Sequence, residues 1–361
     1  MNVVCVCDTP LQVLNCIQYV KNYIREDKDA VDVFVYHQFK NSEIISENMK
    51  KSGIFRNVFD IGLFKEYPGL CQKAATLNRM FFPSRFLKHY VINMETKLER
   101  GYDRLVFSFP TTLVFAILSL YKPSEIILLE DGIGTYTSDI ADDYSSDSLR
   151  IFRKIFKNLN LSISPDYYCV RCPELLDSVD ERKKLRLYSS TQFSGVINYI
   201  FGYRENDIYK KRKTVFLTQP LNEREGYLTD RYKKLVELLE RYHENIVVRQ
   251  HPRDKSADYS VFMQDTVGNL WELECCNTIS DNHILIGGFS TAQLMPKILD
   301  GAEPYLIFVF KLFFDSKELS STFWKSTETF IYKFRDQYKN KNKVFIPETM
   351  EEFKAILEKL L

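Results

Sequence analysis

No run of about 18 apolar residues occurs in the 361-residue chain, so no helix is expected to span a membrane. Nor is there a net charge to speak of. Lys and Arg total 49 against 48 Asp and Glu, leaving +1. No global field then draws the protein onto nucleic acid, and any anionic ligand must be held by a local site. The opening Met1-Asn2-Val3-Val4 lacks a basic flank and a small-residue cleavage site, so it reads as a strand and not as a signal peptide. Zinc-ligand spacing is missing too. Cys169-Val170-Arg171-Cys172 is a lone C-x-x-C with no second pair and no histidines at ligand distance. Internal repeats and low-complexity tracts are absent. Together these absences leave an ordinary globular protein, 45% hydrophobic and 27% charged, expected in a reducing cytosol.

What is present is an alternation of apolar strands and amphipathic helices. Val3–Cys7 and 31–35 are strand-like, with Cys5 and Cys7 as small hydrophobes; Leu11, Leu14, Ile17 and Val20 mark a helical face between them. Leu105–Phe109 is a strand, Pro110 and Thr111 open a helix to Lys122, and Ile126–Leu129 is a buried strand. The series resumes with Val215–Leu217, a helix over Leu228–His243, and strands at Ile246–Val248, Val261–Met263 and Ile284–Ile286. Pro347–Leu361 is a closing helix with Thr349 and Glu352 as a capping box. The polar 204–213 stretch, with Lys210-Lys211-Arg212-Lys213, reads as a solvated linker. Continuous Val/Ile/Leu strands alternating with helices imply parallel sheets covered on both faces. The expected architecture is α/β, two doubly wound Rossmann-like domains over 1–205 and 212–361, facing a central cleft. The last helix has room to pack back on the first domain.

Polar clusters recur at the carboxyl ends of these strands: Asp8-Thr9-Pro10-Leu11-Gln12, Glu130-Asp131-Gly132, Thr218-Gln219-Pro220, His251-Pro252 and Ser290-Thr291. A carboxylate at the mouth of a buried strand gains a raised pKa and can act as a general base; the structural alternative for Glu130-Asp131-Gly132 is a cap or turn aspartate. Gly132 and Gly134 are not followed by a third glycine at dinucleotide spacing, which excludes that fingerprint. His251 can give a proton to a departing phosphate, with Pro252 fixing the chain beside it; a hydrogen-bonded structural histidine is the alternative. Ser290 and Thr291, after Gly287-Gly288 and before a helix, can hold an anion with hydroxyls and free N–H groups, or serve simply as a cap. Glu272, after Gly268, can accept hydrogen bonds from ribose hydroxyls or act as a first-turn glutamate.

Glu130-Asp131-Gly132, His251-Pro252 and Ser290-Thr291, in that order, together with Thr9-Pro10-Leu11-Gln12, resemble the bacterial sialyltransferases of the GT-B fold. The nearest likeness is to glycosyltransferase family 52, the lipooligosaccharide and capsule enzymes, with the polysialyltransferases further off. The resemblance implies a cytoplasmic transferase that uses CMP-sialic acid, with no cofactor, and builds a bacterial surface glycan. A terminal galactose is the expected acceptor and α-2,3 the expected linkage. It assigns Asp131 as the base toward the oligosaccharide acceptor, with Thr9, Gln12, Glu130 and Gly132 on the same side. His251 and Pro252, Ser290, Thr291, Glu272, Gly268, Thr218 and Gln219 fall on the donor side. Glu223, Glu225 and Asp230 are alternative bases; Asp131 ranks first because it directly ends an apolar strand. In-line attack from the opposite face gives inversion, and no D-x-D motif stands at a strand end to bridge a metal to a diphosphate, which points to catalysis without a metal. The resemblance is compatible with a homodimer and with peripheral attachment to the inner membrane face. Two rival readings are a glycerophosphate or UDP-sugar transferase of the same fold, and a non-catalytic sugar-nucleotide binder. Glycerophosphate polymerases carry membrane-seeking segments, and the aromatic Phe81–Phe86 and Tyr305–Phe314 stretches read instead as core helix and core strand.

Overall fold

The structure is a computed structural model describing residues 1–62, 101–132, 134–137, 163–189, 194–221, 230–314 and 319–361. The chain divides into two compact units, Met1–Gly202 and Tyr203–Leu361.

The first unit is built on a sheet of seven strands: β1 (Asn2–Cys7), β2 (Ala30–Tyr36), β3 (Asn57–Ile61), β4 (Arg104–Phe107), β5 (Glu125–Leu129), β6 (Tyr167–Val170) and β7 (Lys184–Arg186). Their order is β3-β2-β1-β4-β5-β6-β7, and every pairing is parallel. Helices α1 (Pro10–Tyr23), α2 (Ser42–Lys51), α3 (Thr112–Tyr121) and α4 (Ser194–Phe201) accompany them. The local causes are visible. Val3, Val4 and Cys5 are fully buried, as a central parallel strand covered on both faces requires. Helix α1 begins where Pro10 supplies a fixed φ and the Thr9 hydroxyl accepts the Gln12 N–H at 3.3 Å. Phe34, Phe59, Phe107, Leu113 and Leu128 belong to one apolar cluster.

The second unit repeats the plan with β8 (Thr214–Leu217), β9 (Ile246–Arg249), β10 (Met263–Gln264), β11 (Ile284–Gly287), β12 (Tyr305–Phe308) and β13 (Val344–Phe345). The order is β10-β9-β8-β11-β12-β13, again all parallel. Its longer helices are α5 (Asp230–Glu240), α6 (Trp271–Asn277), α7 (Thr291–Asp300), α8 (Thr322–Arg335) and α9 (Met350–Leu360). Renumbered from its own first strand, this sheet reads 3-2-1-4-5-6, as does the first six-strand portion of the other. Each unit is therefore a Rossmann-like sheet. Its order reverses at β1/β4 in one unit and at β8/β11 in the other, and in open α/β sheets ligands bind outside the strand ends at that reversal.

Three expectations need correction. The 204–213 stretch is no linker: Ile208–Lys211 is helical, Tyr209 is fully buried, and the Arg204 N–H donates to Asn269 Oδ1 at 3.1 Å, so it belongs to the second unit. Val261–Met263 shrinks to the two-residue edge strand β10, with Val261 and Met263 exposed. The helix read as Leu228–His243 is described only as Asp230–Glu240, and residues 222–229 lie outside the described set. Tyr305–Phe314, read as a core strand, is a strand only over Tyr305–Phe308 and continues as the short helix Phe310–Phe313, whereas Phe81–Phe86 lies outside the described residues. Among the described residues no helix is long and apolar enough to cross a membrane.

Candidate functional site

At the reversal point of the first sheet, β1 hands over to α1 through Asp8 and Thr9, and β5 ends at Glu130 and Asp131. Gln12 joins the two loops. Its Oε1 accepts the Asp8 N–H at 2.7 Å, and its Nε2 donates to Asp131 Oδ1 at 3.2 Å. Asp131 is further fixed by its own N–H, which donates to Thr135 Oγ1 at 2.8 Å. Gly132 takes φ of 77°, a left-handed conformation that lets the chain turn away immediately after the carboxylate. Burial raises the Asp131 pKa above the usual aspartate range; the Gln12 hydrogen bond opposes that and the Glu130 charge adds to it. Asp8 is pushed up to about 7, chiefly by burial and then by the charge of Asp131.

Glu130 points elsewhere. Only 1% exposed, it accepts the Arg171 N–H at 2.9 Å, the Arg171 guanidinium at 3.4 Å and the Tyr136 hydroxyl. Arg171 also donates to Asn15 Oδ1 at 2.6 Å and Gln18 Oε1 at 2.5 Å on α1. This buried pair neutralises Glu130 and locks β5, β6 and α1 together. Asp131, one residue on, has no cationic partner in the contacts described for it. The structure thus gathers Thr9, Gln12, Asp131 and Gly132 at one mouth and diverts Glu130 into the framework. Cys169 and Cys172, either side of Arg171, are buried free thiols.

In the second unit the consecutive pair Thr218-Gln219 ties β8 to both neighbours. Thr218 Oγ1 accepts the His251 N–H at 2.9 Å, at the end of β9. Gln219 grips the Phe289 peptide, its Oε1 accepting the N–H at 2.8 Å and its Nε2 donating to the carbonyl, at the end of β11. The His251 ring accepts the Arg253 N–H at Nδ1, 3.2 Å away, so the neutral tautomer carries its proton on Nε2, the nitrogen suited to donate to a phosphate. Pro252 beside it is exposed. Ser290 is the N-cap of α7, its hydroxyl accepting the Ala292 N–H at 3.2 Å, and Thr291 is the first helical residue. The two glycines before them have a packing cause. A Cβ on Gly287 would stand 2.8 Å from Gln293 Oε1, and one on Gly288 would stand 2.9 Å from the Phe313 ring and strike Gln219.

Helix α7 is held from the side. Pro296 lies inside it and lacks the N–H that would bond the carbonyl four residues back. That carbonyl, Ala292 O, instead accepts the Trp271 indole N–H at 2.7 Å. Gly268, with φ of 73°, and Asn269 lead into α6. Arg249 donates to Asn269 O and Asp265 and lies 5.2 Å from the Trp271 ring centroid. Glu272 is mostly buried on the first turn of α6, and its charge is among those that raise the Arg249 pKa against the opposing effect of burial. Of the alternative bases, Asp230 is exposed at the start of α5, and Glu223 and Glu225 lie outside the described residues. Among the described residues no group of three or more His, Cys, Asp or Glu could hold a metal ion.

Sequence reasoning passed over Asp8 and Arg171. Asp8 had a signal, its place in a strand-end cluster; Arg171 had none, since its partner Glu130 is 41 positions away.

Two Rossmann-like units in one chain define the GT-B class of glycosyltransferases and their structural relatives. Two solved structures agree on the fold. A UDP-N-acetylglucosamine 2-epimerase from Listeria monocytogenes, described as putative by its authors, is 10% identical, with 95% of this chain and 90% of that chain covered at a TM-score of 0.51. UGT89C1 of Arabidopsis thaliana, solved with UDP, is 9% identical over 99% of this chain and 89% of that one, also at 0.51. A sialyltransferase from Photobacterium damsela matches at 13% identity and a TM-score of 0.49, covering 96% of this chain and 81% of that one. No curated protein sequence matches the chain. A family model does, over residues 6–285, and its description is alpha-2,8-polysialyltransferase. The chain belongs to that family, the one its motifs placed as the more distant likeness, and is a glycosyltransferase.

Proposed function

We propose that the protein is a sialyltransferase that moves sialic acid from CMP-sialic acid to a hydroxyl of an oligosaccharide acceptor, with inversion and without a metal. The observation that carries this reading is the division of chemistry between two switch points. One holds a half-buried carboxyl of raised pKa. The other holds an imidazole with its proton on Nε2 and, after a different strand of the same sheet, a capped helix N-terminus. Asp131 takes the proton of the acceptor hydroxyl. His251 donates to the phosphate of the departing CMP, and Ser290, Thr291 and the α7 dipole neutralise its charge. Glu272 receives the ribose. The leaving group is already a monophosphate on a tertiary anomeric carbon, so the oxocarbenium-like transition state needs charge neutralisation more than nucleophilic push.

Family membership supports the sialic acid donor. The likeness to family 52 suggests α-2,3 transfer to galactose of a lipooligosaccharide or capsule, whereas the family description carries an α-2,8 linkage. The setting that suits either product is the cytoplasmic face of the inner membrane. Purified protein is to be incubated with CMP-sialic acid, CDP-glycerol and UDP-sugars, with acceptors ending in galactose and in sialic acid. Transfer from CMP-sialic acid alone, unchanged by chelator, is the expected result. Turnover of CDP-glycerol or a UDP-sugar instead, or activity restored only by magnesium or manganese, would overturn it. CMP binding without turnover would favour a plain binder.

A further inference from the structure

We propose that Asp8 is an acceptor-binding residue: together with Ser108 it forms a polar recess at the end of β1 and β4 that receives hydroxyls of the acceptor sugar beside Asp131. The proposal deepens the reading of Asp131 as base and rests on it.

Two side chains carry the argument. Asp8 is 7% exposed, and its Oδ1 has no hydrogen-bond partner among the described residues. Ser108 is 4% exposed, and its Oγ likewise has none. A buried polar atom left unpaired is costly and uncommon in folded proteins, and a ligand that supplies the missing partner is one accepted cause. Both follow neighbouring parallel strands at the reversal point of the sheet. Val6 of β1 stands opposite Phe107 of β4, so the chain sets Ser108 level with Cys7 and Phe109 level with Asp8, one position from Ser108. Gln12 links the Asp8 backbone to the Asp131 carboxyl, so the recess and the base form one bonded unit.

The chemistry selects the ligand. Two carboxyls in one recess repel a phosphate, which excludes the nucleotide. A sugar hydroxyl both donates and accepts; a carboxyl offers it acceptors, and a serine hydroxyl offers either role. Phe109, the next residue on, is 56% exposed at the same strand end and offers an apolar face to a sugar ring. The ligand class is therefore the terminal sugar of the oligosaccharide acceptor.

The test uses steady-state transfer from CMP-sialic acid to lactose or to an oligomer of sialic acid, whichever the wild-type protein accepts. Asp8→Asn should raise the acceptor KM about ten- to a hundredfold, as loss of a charge-assisted hydrogen bond would. The donor KM and the thermal shift with CMP should stay as in wild type. Ser108→Ala and Phe109→Ala should each raise the acceptor KM by a smaller factor. An unchanged acceptor KM in Asp8→Asn overturns the proposal. So does an equal loss toward donor and acceptor with a lowered melting temperature, the signature of a purely structural aspartate. Asp131→Asn is run in parallel: full activity there, or a wild type that accepts neither sugar, sinks the underlying reading, whereas inactive Asp131→Asn beside a normal Asp8→Asn sinks only the present proposal.

Discussion

At the reversal point of the first sheet stand Asp8, Glu130 and Asp131; at that of the second stand Thr218, Gln219, His251 and Ser290. The strand order is the same, and the loops are anchored by the same device, a glutamine at the end of the central strand or just after it. Gln12 bridges to a carboxyl, while Gln219 clasps a peptide. The difference lies in the groups that the strand ends carry. In the first unit an arginine neutralises one carboxyl of the Glu130-Asp131 pair, and the other keeps a raised pKa. In the second the strand ends carry an imidazole with its proton on Nε2, hydroxyls and a helix N-terminus. Under the proposed function, one fold then serves twice, with a carboxyl for the acceptor proton in one unit and donors for the phosphate in the other.

Removing Arg171 should break this contrast most severely. Arg171→Ala leaves Glu130 charged and buried, which costs about 3–5 kcal/mol, measurable by urea unfolding. Any folded protein should also show the acid limb of its transfer rate moved to higher pH, because a second uncompensated carboxylate raises Asp131 further. Asp8→Asn acts in the opposite direction. Because burial lifts the folded pKa of Asp8 to about 7, its contribution to stability is fully present below about pH 4 and is lost as pH rises through 7. The variant should match wild type near pH 4 and exceed it at pH 8 by on the order of a few kcal/mol, read from unfolding at both pH values. Equal differences at the two pH values would mean Asp8 is solvated.

In the second unit, Gly288→Ala forces a methyl onto the Phe313 ring and Gln219, loosening the latch on Phe289. A loss of about 1–3 kcal/mol is expected, with a parallel fall in CMP affinity by calorimetry. Thr349→Ala serves as the control. Thr349 caps α9, accepting the Glu352 N–H at 3.1 Å, so its loss should lower stability by about 1 kcal/mol while CMP affinity holds. If both changes weaken CMP binding equally, the Gln219 latch has no special role.

Much of this was legible in the residues. Apolar runs such as Val3–Cys7 and Ile284–Ile286 marked the central strands because a strand buried on both faces tolerates little else. Strand β3 was missed: its sequence Asn-Val-Phe-Asp-Ile breaks the apolar run with Asp60, which is buried against His37 and Lys50 from other elements. The edge strand β7 is too short and polar to stand out, and β13, Val344-Phe345, is too short. At the site, the strand-end clusters were visible, but the division of labour inside Glu130-Asp131 was not, since it is decided by Arg171 on a distant strand. The capping box at Thr349 also came out altered: the Glu352 carboxylate accepts the Glu348 N–H at 2.8 Å, one residue before the cap. Nothing in the spelling of a cap distinguishes the two.

The central claim is that donor and proton chemistry are held by different units, and calorimetric titration of CMP paired with transfer rates tests it most directly. Asp131→Asn should bind CMP as wild type does while its kcat falls about 10²–10⁴-fold. His251→Ala should lose kcat and also weaken CMP by about tenfold or more, the cost of one charge-assisted contact. The account is contradicted if Asp131→Asn transfers at the wild-type rate, or if it weakens CMP as much as His251→Ala does.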